Sequence, residues 1–410
     1  MSAHPPQHAA GPTDDTRDHA EARRPRPSVA VGALAVVAVL LAVVAAGAFL
    51  PSVPWVGQVG GYAAAWAPWL VVLGLVVTAC ATVALLRRGS VTRVVSVAGG
   101  LAVVALSFTV VTQQLRVAQE HAVGVQIADL FRLVPGDLDP DHDAQYGEIE
   151  GVPQNLSLWL PQGEPAGGAA PVVVLVHGGG WVSGDRLQRT TASHAAWFAE
   201  QGYLAVSIDY PLSGDDRHLW DVVEPQVACA LVWAGEHAAD HGGDPSRLFL
   251  AGASAGGNLA LQVAYRTASG DLEPACDGAV PPVAAVSTLN PVASPAGLHG
   301  NGDRVRGVTA RHVTEQYTGG TPSDHPERYT ATTPAEHVTA ASPATLMVVG
   351  EADRLVPPDG AQELAGVLDA EGVAHELVLL PAADHTFDAA PGGVGTQAWR
   401  ELTLRLFERS

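Results

Sequence analysis

His177-Gly178-Gly179-Gly180-Trp181 follows five consecutive apolar residues, Val172 to Val176, and Gly252-Ala253-Ser254-Ala255-Gly256 follows Leu248-Phe249-Leu250-Ala251. A short unbroken apolar run reads as a strand buried on both faces of a parallel sheet. The second motif leads into Asn258-Leu259-Ala260-Leu261, which reads as a helix. A Gly-x-Ser-x-Gly on a strand–turn–helix is a nucleophile elbow, whose glycines permit a turn too sharp for side chains. Glycines after a strand-end histidine leave backbone N–H groups free to face a developing oxyanion. The two motifs in this order, each behind its own strand, imply a serine hydrolase on an α/β sheet.

Chain order supplies the partners. Hydrolases built on such a sheet place Ser first, then Asp or Glu, then His. Residues 344–350 read as a strand, and the loop after it runs Glu351-Ala352-Asp353-Arg354-Leu355-Val356-Pro357. A helical stretch and a further strand, 376–380, precede Ala383-Asp384-His385-Thr386-Phe387. Open α/β sheets bind ligands at the carboxyl ends of their strands, so Ser254, Asp353 and His385 are expected on one rim. There His385 takes the proton of Ser254, and Asp353 orients and stabilises the imidazolium. Among 16 histidines, His385 stands out by its place after the last strand. Glu351, nearer the strand end, and Asp384, beside the histidine, compete with Asp353 as the acid. The His177 side chain reads as a brace for the glycine loop.

With these residues in hand, the chain from about Tyr146 onward resembles the hormone-sensitive-lipase-like and feruloyl/acetyl-xylan-esterase-like α/β-hydrolases. Residues 154–161 (Gln-Asn-Leu-Ser-Leu-Trp-Leu-Pro) resemble their opening strand, and Ile208-Asp209-Tyr210 the strand before the first long helix. Gly243-Asp244-Pro245-Ser246-Arg247-Leu248 resembles the turn before the nucleophile strand, and Tyr317-Thr318-Gly319-Gly320-Thr321-Pro322 a segment before the acid strand. The resemblance implies oxyanion donors from two of Gly178, Gly179 and Gly180, foremost Gly179 and Gly180, with the N–H of Ala255. Two departures leave the subfamily open. Ala253 stands where many relatives carry Asp, and Asp209-Tyr210-Pro211-Leu212 replaces their Asp-Tyr-Arg-Leu.

Upstream lies an independent signal. Residues 29–50, 62–86 and 94–111 are three apolar runs, each near the roughly 20 residues that cross a bilayer's hydrocarbon core. Three in succession read as transmembrane helices. Ala45-Ala46-Gly47-Ala48 has the small residues of a signal-cleavage site, but the long core and the two later runs favour a retained span. Arg23, Arg24 and Arg26 precede the first run, the loop 51–61 has no basic residue, and Arg87, Arg88 and Arg93 fill the second loop. By the positive-inside bias the N-terminus and second loop are cytoplasmic, which sends the hydrolase outside. Arg116 weakens the contrast slightly. Trp55, Trp66 and Trp69 cluster at the outer boundary, where amphipathic rings sit well.

The expected organisation is then a disordered cytoplasmic tail (1–28), a three-span region (29–112), a juxtamembrane connector (113–143) and one α/β-hydrolase domain (144–410). A long Gly-, Pro- and Thr-rich insert, about 289–341, reads as lid-like. With Trp181 and Tyr210 it is expected to shape the substrate pockets. It lacks a long apolar face for docking on lipid, which favours a small-ester carboxylesterase over a lipase.

The net charge is −20, and all 22 basic residues are Arg. Because the acids of the tail balance its arginines, the surplus belongs to the hydrolase, which argues against nucleic acid and tight adhesion to anionic headgroups. Of three cysteines, Cys80 falls in the second span. Cys229 and Cys276 read as buried small hydrophobes, with an extracytoplasmic disulfide as the alternative. Asp139, Asp141, Asp143 and Glu150 have calcium-loop spacing, but Ala144 replaces the turn glycine and a strand follows, so an acidic linker is the better reading. No zinc motif is present, and neither metal nor cofactor is expected. The leading reading is a membrane-anchored carboxylesterase acting on a small-molecule ester through an acyl-enzyme. A lipase, serine peptidase or acyltransferase on the same triad is the alternative, and a non-catalytic binding protein a remote one. Oligomeric state is left open.

Overall fold

In the computed structural model, Val172, Val174 and Val176 point into one apolar cluster and Val173 and Leu175 into another. Alternate side chains of a strand emerge on opposite faces, so a strand covered on both sides needs the unbroken apolar run found here. The structure describes residues 1, 29–133, 136–163 and 168–410. The tail beyond Met1, with Arg23, Arg24 and Arg26, lies outside them.

Among the described residues, four helices come first: α1 (Val29–Gly47), α2 (Val56–Ala64), α3 (Ala67–Arg87) and α4 (Val91–Glu120). By length and composition α1, α3 and α4 could each cross a membrane. Their outer faces expose Val36, Leu40, Leu75, Val76, Leu101 and Phe108. Two boundaries differ from the sequence reading. The apolar run 62–86 is broken, because Pro68 opens a new helix in the first turn of α3, where its missing N–H costs nothing. Tyr62 consequently belongs to α2. The third expected span, α4, also runs past residue 111 to Glu120, since Gln113, Gln114, Leu115 and Arg116 are good helix formers.

Among the described residues, eight strands form one sheet: β1 (His142–Ile149), β2 (Val152–Trp159), β3 (Ala170–Val176), β4 (Leu204–Ile208), β5 (Gly243–Ala253), β6 (Ala285–Leu289), β7 (Ala344–Gly350) and β8 (His375–Leu380). Their order is 1-2-4-3-5-6-7-8, with β2 antiparallel to both neighbours and the rest parallel. The remaining helices are α5 (Arg189–Glu200), α6 (Val223–His237), α7 (Ala255–Ser269), α8 (Pro295–His299), α9 (Arg306–Thr318), α10 (Pro326–Ala331), α11 (Asp359–Ala370) and α12 (Val394–Arg409). Helices α6, α7 and α11 cover one face; α5 and α12 cover the other. This is the α/β-hydrolase architecture expected from the motifs.

The insert, read as a loop, instead folds into α8, α9 and α10. Local caps overcome its Gly- and Pro-rich composition. Ser294 accepts from Gly297 N at 3.1 Å, and Asp303 from Arg306 N at 2.7 Å. The acidic string is spent on the sheet edge: Asp141 accepts from Leu160 N, and Asp143 lies on β1 against Ser157 and Arg186.

The helical region is fastened to the sheet domain rather than tethered to it. Ala118 of α4 joins the α5–α12 core layer, and Gln114 donates to Pro381 O. His121 meets Glu376 of β8 at 2.6 Å, and Arg405 of α12 donates to His121 O at 2.8 Å.

Cys229 on α6 is bonded to Cys276, with Cα atoms 5.8 Å apart and a sequence separation of 47. The cysteines are thus bridged, against the reading that favoured free small hydrophobes. Closing a loop of this length restrains the unfolded chain. Reduction, or the double variant Cys229→Ser/Cys276→Ser, should lower the unfolding free energy by roughly 2–4 kcal/mol. Denaturant titration in detergent checks this, and an unchanged midpoint under reductant would show that the bridge contributes nothing.

Candidate active site

Strand register assembles the site. Val176 pairs with Gly252, so the loop after β3 and the turn after β5 emerge side by side. Gly350 pairs with Leu380, which sets the loop after β7 beside the loop after β8. Ser254 caps β5 at φ 55° and ψ −121°, a strained conformation for a residue with a side chain. Its N–H donates to Leu289 O at 2.9 Å and its carbonyl accepts from Val292 N at 3.1 Å. A Cβ on Gly256 would lie 2.2 Å from Val176 O, so the turn closes only with glycine there.

Ser254 Oγ lies 3.0 Å from His385 Nε2, and His385 Nδ1 lies 2.7 Å from Asp353 Oδ2. With Nδ1–H donating to the carboxylate, Nε2 is left as the acceptor for the serine hydroxyl. Asp353 Oδ1 accepts from Leu355 N at 2.9 Å and Val356 N at 2.8 Å. Of the three competing acids, Asp353 is the one against the ring. Glu351 is exposed. Asp384 is buried with Oδ1 turned to the N–H groups of Arg354 (3.0 Å) and His385 (2.8 Å), so it ties the acid and base loops together. Burial raises the Asp384 pKa above the usual carboxylate value. Burial pulls the His385 pKa down, but the charge and hydrogen bond of Asp353 outweigh it, and the net shift is upward.

Gly178, Gly179 and Gly180 line the same cavity as Ser254 and His385. Among the described residues, no protein acceptor takes the N–H of Gly179 or Gly180. Ala255 opens α7, where an N–H lacks an intrahelical partner and the helix dipole is positive. These groups can therefore receive an anionic oxygen. His177 braces the loop. Its Nδ1–H donates to Gly178 O at 2.7 Å, its ring stacks on Tyr210 at 4.2 Å, and burial lowers its pKa. Arg186 anchors the loop's return, with both carboxylate oxygens of Asp209 accepting from it at 2.8 Å.

Trp181 and Tyr210 require a correction: neither lines the cavity. Trp181 is fully buried and stacks on Tyr317 at 4.4 Å. The Tyr210 hydroxyl donates to His177 O at 3.0 Å from beneath the loop. Tyr210 thus braces the loop from the core side, while the Trp181 ring belongs to the core itself.

The cavity is about 370 Å³, at the small end of the roughly 300–1,000 Å³ range for small-molecule sites. Val182, Leu289, Val292, Leu298, Val313 and Val356 supply its apolar walls, and Tyr62 of α2 is also part of the lining. Two residues escaped the sequence reading. Asn290 donates to His385 O at 2.6 Å and accepts from Gly350 N at 2.8 Å, bridging base loop to acid strand. Its place at the carboxyl end of β6 was a usable signal. Tyr62 had none, lying inside an apolar run. Among the described residues, no cluster of His, Cys, Asp and Glu could hold a metal ion.

The BD-FAE family model matches residues 156–368. The chain is 28% identical over 237 residues to the esterase LipQ of Mycobacterium tuberculosis, covering 57% of this chain and 54% of that one. It is 33% identical over 178 residues to the hormone-sensitive lipase of Homo sapiens, covering 41% and 15%. The chain thus spans about half the length of LipQ and less of the lipase. Among solved structures, a propionate-bound thermophilic esterase of Thermogutta terrifontis aligns with TM-score 0.53 and 26% identity, covering 67% of this chain and 96% of that one. A carbohydrate esterase from gut microbiota aligns with TM-score 0.54 at 19% identity, over 67% and 99%, which speaks to the fold alone.

Asn290→Ala leaves the buried Gly350 N–H without its partner, at about 1–3 kcal/mol, and also frees the half-buried His385 carbonyl. A fall of that size in unfolding free energy is expected by denaturant titration. A variant as stable as the parent would remove Asn290 from the framework of the site.

Proposed function

Because the chain belongs to the BD-FAE family, whose model spans just over half of it, we propose that it is a membrane-anchored carboxylesterase acting on small carboxylic esters. The line Ser254–His385–Asp353, at 3.0 and 2.7 Å on the floor of an apolar cavity, carries this reading. Ser254 Oγ attacks the ester carbonyl carbon as its proton passes to His385 Nε2. The imidazolium is stabilised by Asp353, and the tetrahedral oxyanion by N–H groups of Gly179, Gly180 and Ala255. Collapse expels the alcohol, which takes the proton from His385. Water, deprotonated by the same nitrogen, then attacks the acyl-serine; the bond to Oγ breaks, Ser254 recovers the proton from His385, and the acid leaves.

Short acyl groups suit the cavity's size. The Thermogutta terrifontis esterase has been seen with propionate and with butyrate, at 26% identity and TM-scores of 0.53 and 0.52. The expected profile on p-nitrophenyl esters peaks between about two and six carbons and falls steeply by about ten, because added methylenes gain burial only where the pocket has room. A maximum at long chains, or a jump in rate above the micelle threshold, would favour a lipase. Turnover of amides or transfer to alcohols would favour a peptidase or an acyltransferase.

The anchor reading rests on α1, α3 and α4, whose exposed apolar faces need a lipid environment. Arg87, Arg88 and Arg93 mark the α3–α4 turn as cytoplasmic, so the hydrolase at the far end of α4 lies outside. A bridged Cys229–Cys276 pair agrees with an oxidising compartment. A C-terminal alkaline phosphatase fusion should be active, and protease added to intact spheroplasts should remove the hydrolase; protection of that domain would reverse the orientation.

A fluorophosphonate should label the parent but not Ser254→Ala, and that variant should lose about 10⁵–10⁶-fold in kcat. Asp353→Asn should keep a trace of activity, whereas Glu351→Gln should stay near the parent; the reverse result would reassign the acid. Neutral His385 is the active base, so kcat/KM should fall as pH drops through its pKa, which Asp353 holds above the usual histidine value. Asp353→Asn removes that charge, and the residual acid limb should move to lower pH.

A further inference from the structure

Helix α2 joins the end of α1 to the start of α3, at the end of the bundle where α4 runs into the hydrolase. Its two faces differ sharply. Gly57, Gly60, Gly61 and Ala64 are buried, whereas Trp55, Val59 and Tyr62 are exposed at helical spacing. Gly60 packs on Gly47 and Ala48 at the end of α1, Gly57 on the Leu50 and Pro51 carbonyls and the Arg354 side chain, and Gly61 directly on Asp384. A Cβ on Gly61 would lie 2.5 Å from Asp384 Oδ2, and one on Gly57 2.9 Å from Arg354 Nη1. A side chain at Gly61 would force either Asp384 or the helix to shift. Asp384 and Arg354 adjoin His385 and Asp353 in sequence, and Arg354 N donates to Asp384 Oδ1 at 3.0 Å. Arg354 also pairs with Asp303 of the insert at 2.7 Å. One seat therefore joins α2, the acid loop, the base loop and the insert. Next to Gly61, the half-exposed Tyr62 ring lines the same cavity as Ser254 and His385, as does Val313 of α9.

We propose that α2 is a wall of the ester site supplied by the membrane region, and that Tyr62 is the residue that limits the length of the chain the cavity accepts. The inference rests on the esterase reading and names the specificity of that site. Tyr62 touches no reacting atom. Its ring occupies space that a longer acyl or alkoxy chain would need, and the seat on Asp384 and Arg354 keeps it from swinging away.

The test uses the full chain in one detergent and compares kcat/KM for p-nitrophenyl decanoate and butyrate. Tyr62→Ala should raise the decanoate-to-butyrate ratio by about tenfold or more, since room for even one methylene is worth that much in an apolar pocket. Tyr62→Phe keeps the ring and should keep the parent ratio within about twofold. Trp55→Ala, on the exposed face but outside the cavity, should also leave it unchanged. An unchanged ratio in Tyr62→Ala overturns the proposal, wherever the parent's optimum falls. An equal shift in Trp55→Ala also overturns it, because the effect would then come from how α2 meets detergent. A parent with no turnover of any ester fails the esterase reading first and takes this inference with it. A second readout is independent of turnover. In a Cys80→Ser background, Tyr62→Cys should react with a maleimide more slowly after Ser254 has been modified by a butyl fluorophosphonate. Equal rates would place position 62 away from the acyl group.

Discussion

Ser254 is held at φ 55°, a backbone conformation that costs a residue with a side chain roughly 1–3 kcal/mol. The surrounding rim is organised to offset that cost. The Ser254 N–H is bonded to Leu289 at the end of β6 and its carbonyl to Val292 in the segment just beyond, and the crossing of β3 past the elbow leaves room only for hydrogen at Gly256. The same segment continues into Asn290, which reaches both the base loop and the acid strand. Strain at one residue is thereby shared among four strand ends. The register of the parallel strands decides which loops can share it.

The legible parts of the chain were those governed by simple periodicity. A strand buried on both faces must be apolar throughout, so β3, β5 and β7 announced themselves, and chain order then proposed Ser254, an acid and His385. Asp353 was preferred to Glu351 and Asp384 by its place in the loop, but no pattern shows which of the three faces the ring, because a loop residue points by its backbone torsions. Neighbours in sequence took opposite roles: Asp384 accepts backbone N–H groups while His385 faces Asp353. Trp181 misled for a related reason. Its stacking partner, Tyr317, comes from a helix that composition had disguised as a loop. Tyr62 was hidden by length alone, since an apolar run does not reveal where one helix stops and another begins.

Polar groups in this site brace far more than they react. His177, Tyr210, Arg186 and Asp209 hold the glycine loop without lining the cavity's interior wall of apolar side chains. Asp384 is an ionisable group buried for geometry, joining two loops whose separation sets the reach of the triad. Such groups keep a preorganised set of N–H donors aimed at a point where charge develops only transiently. That preorganisation is a large share of what an enclosed site contributes to catalysis.

Helix α4 is 30 residues long, about 45 Å at 1.5 Å per residue, against roughly 30 Å of hydrocarbon in a bilayer. With the apolar helices in a membrane as proposed, its surplus turns run unbroken to the α5–α12 layer, which Ala118 joins. The enzyme would then ride at a fixed height and tilt, like a rudder on its post. Its orientation relative to the surface would be inherited from the bundle, and thermal tumbling would be confined to rotation about the membrane normal. An ester dissolved in the bulk would meet it by ordinary three-dimensional diffusion. One dwelling at the interface would search in two dimensions for a mouth always presented at the same depth.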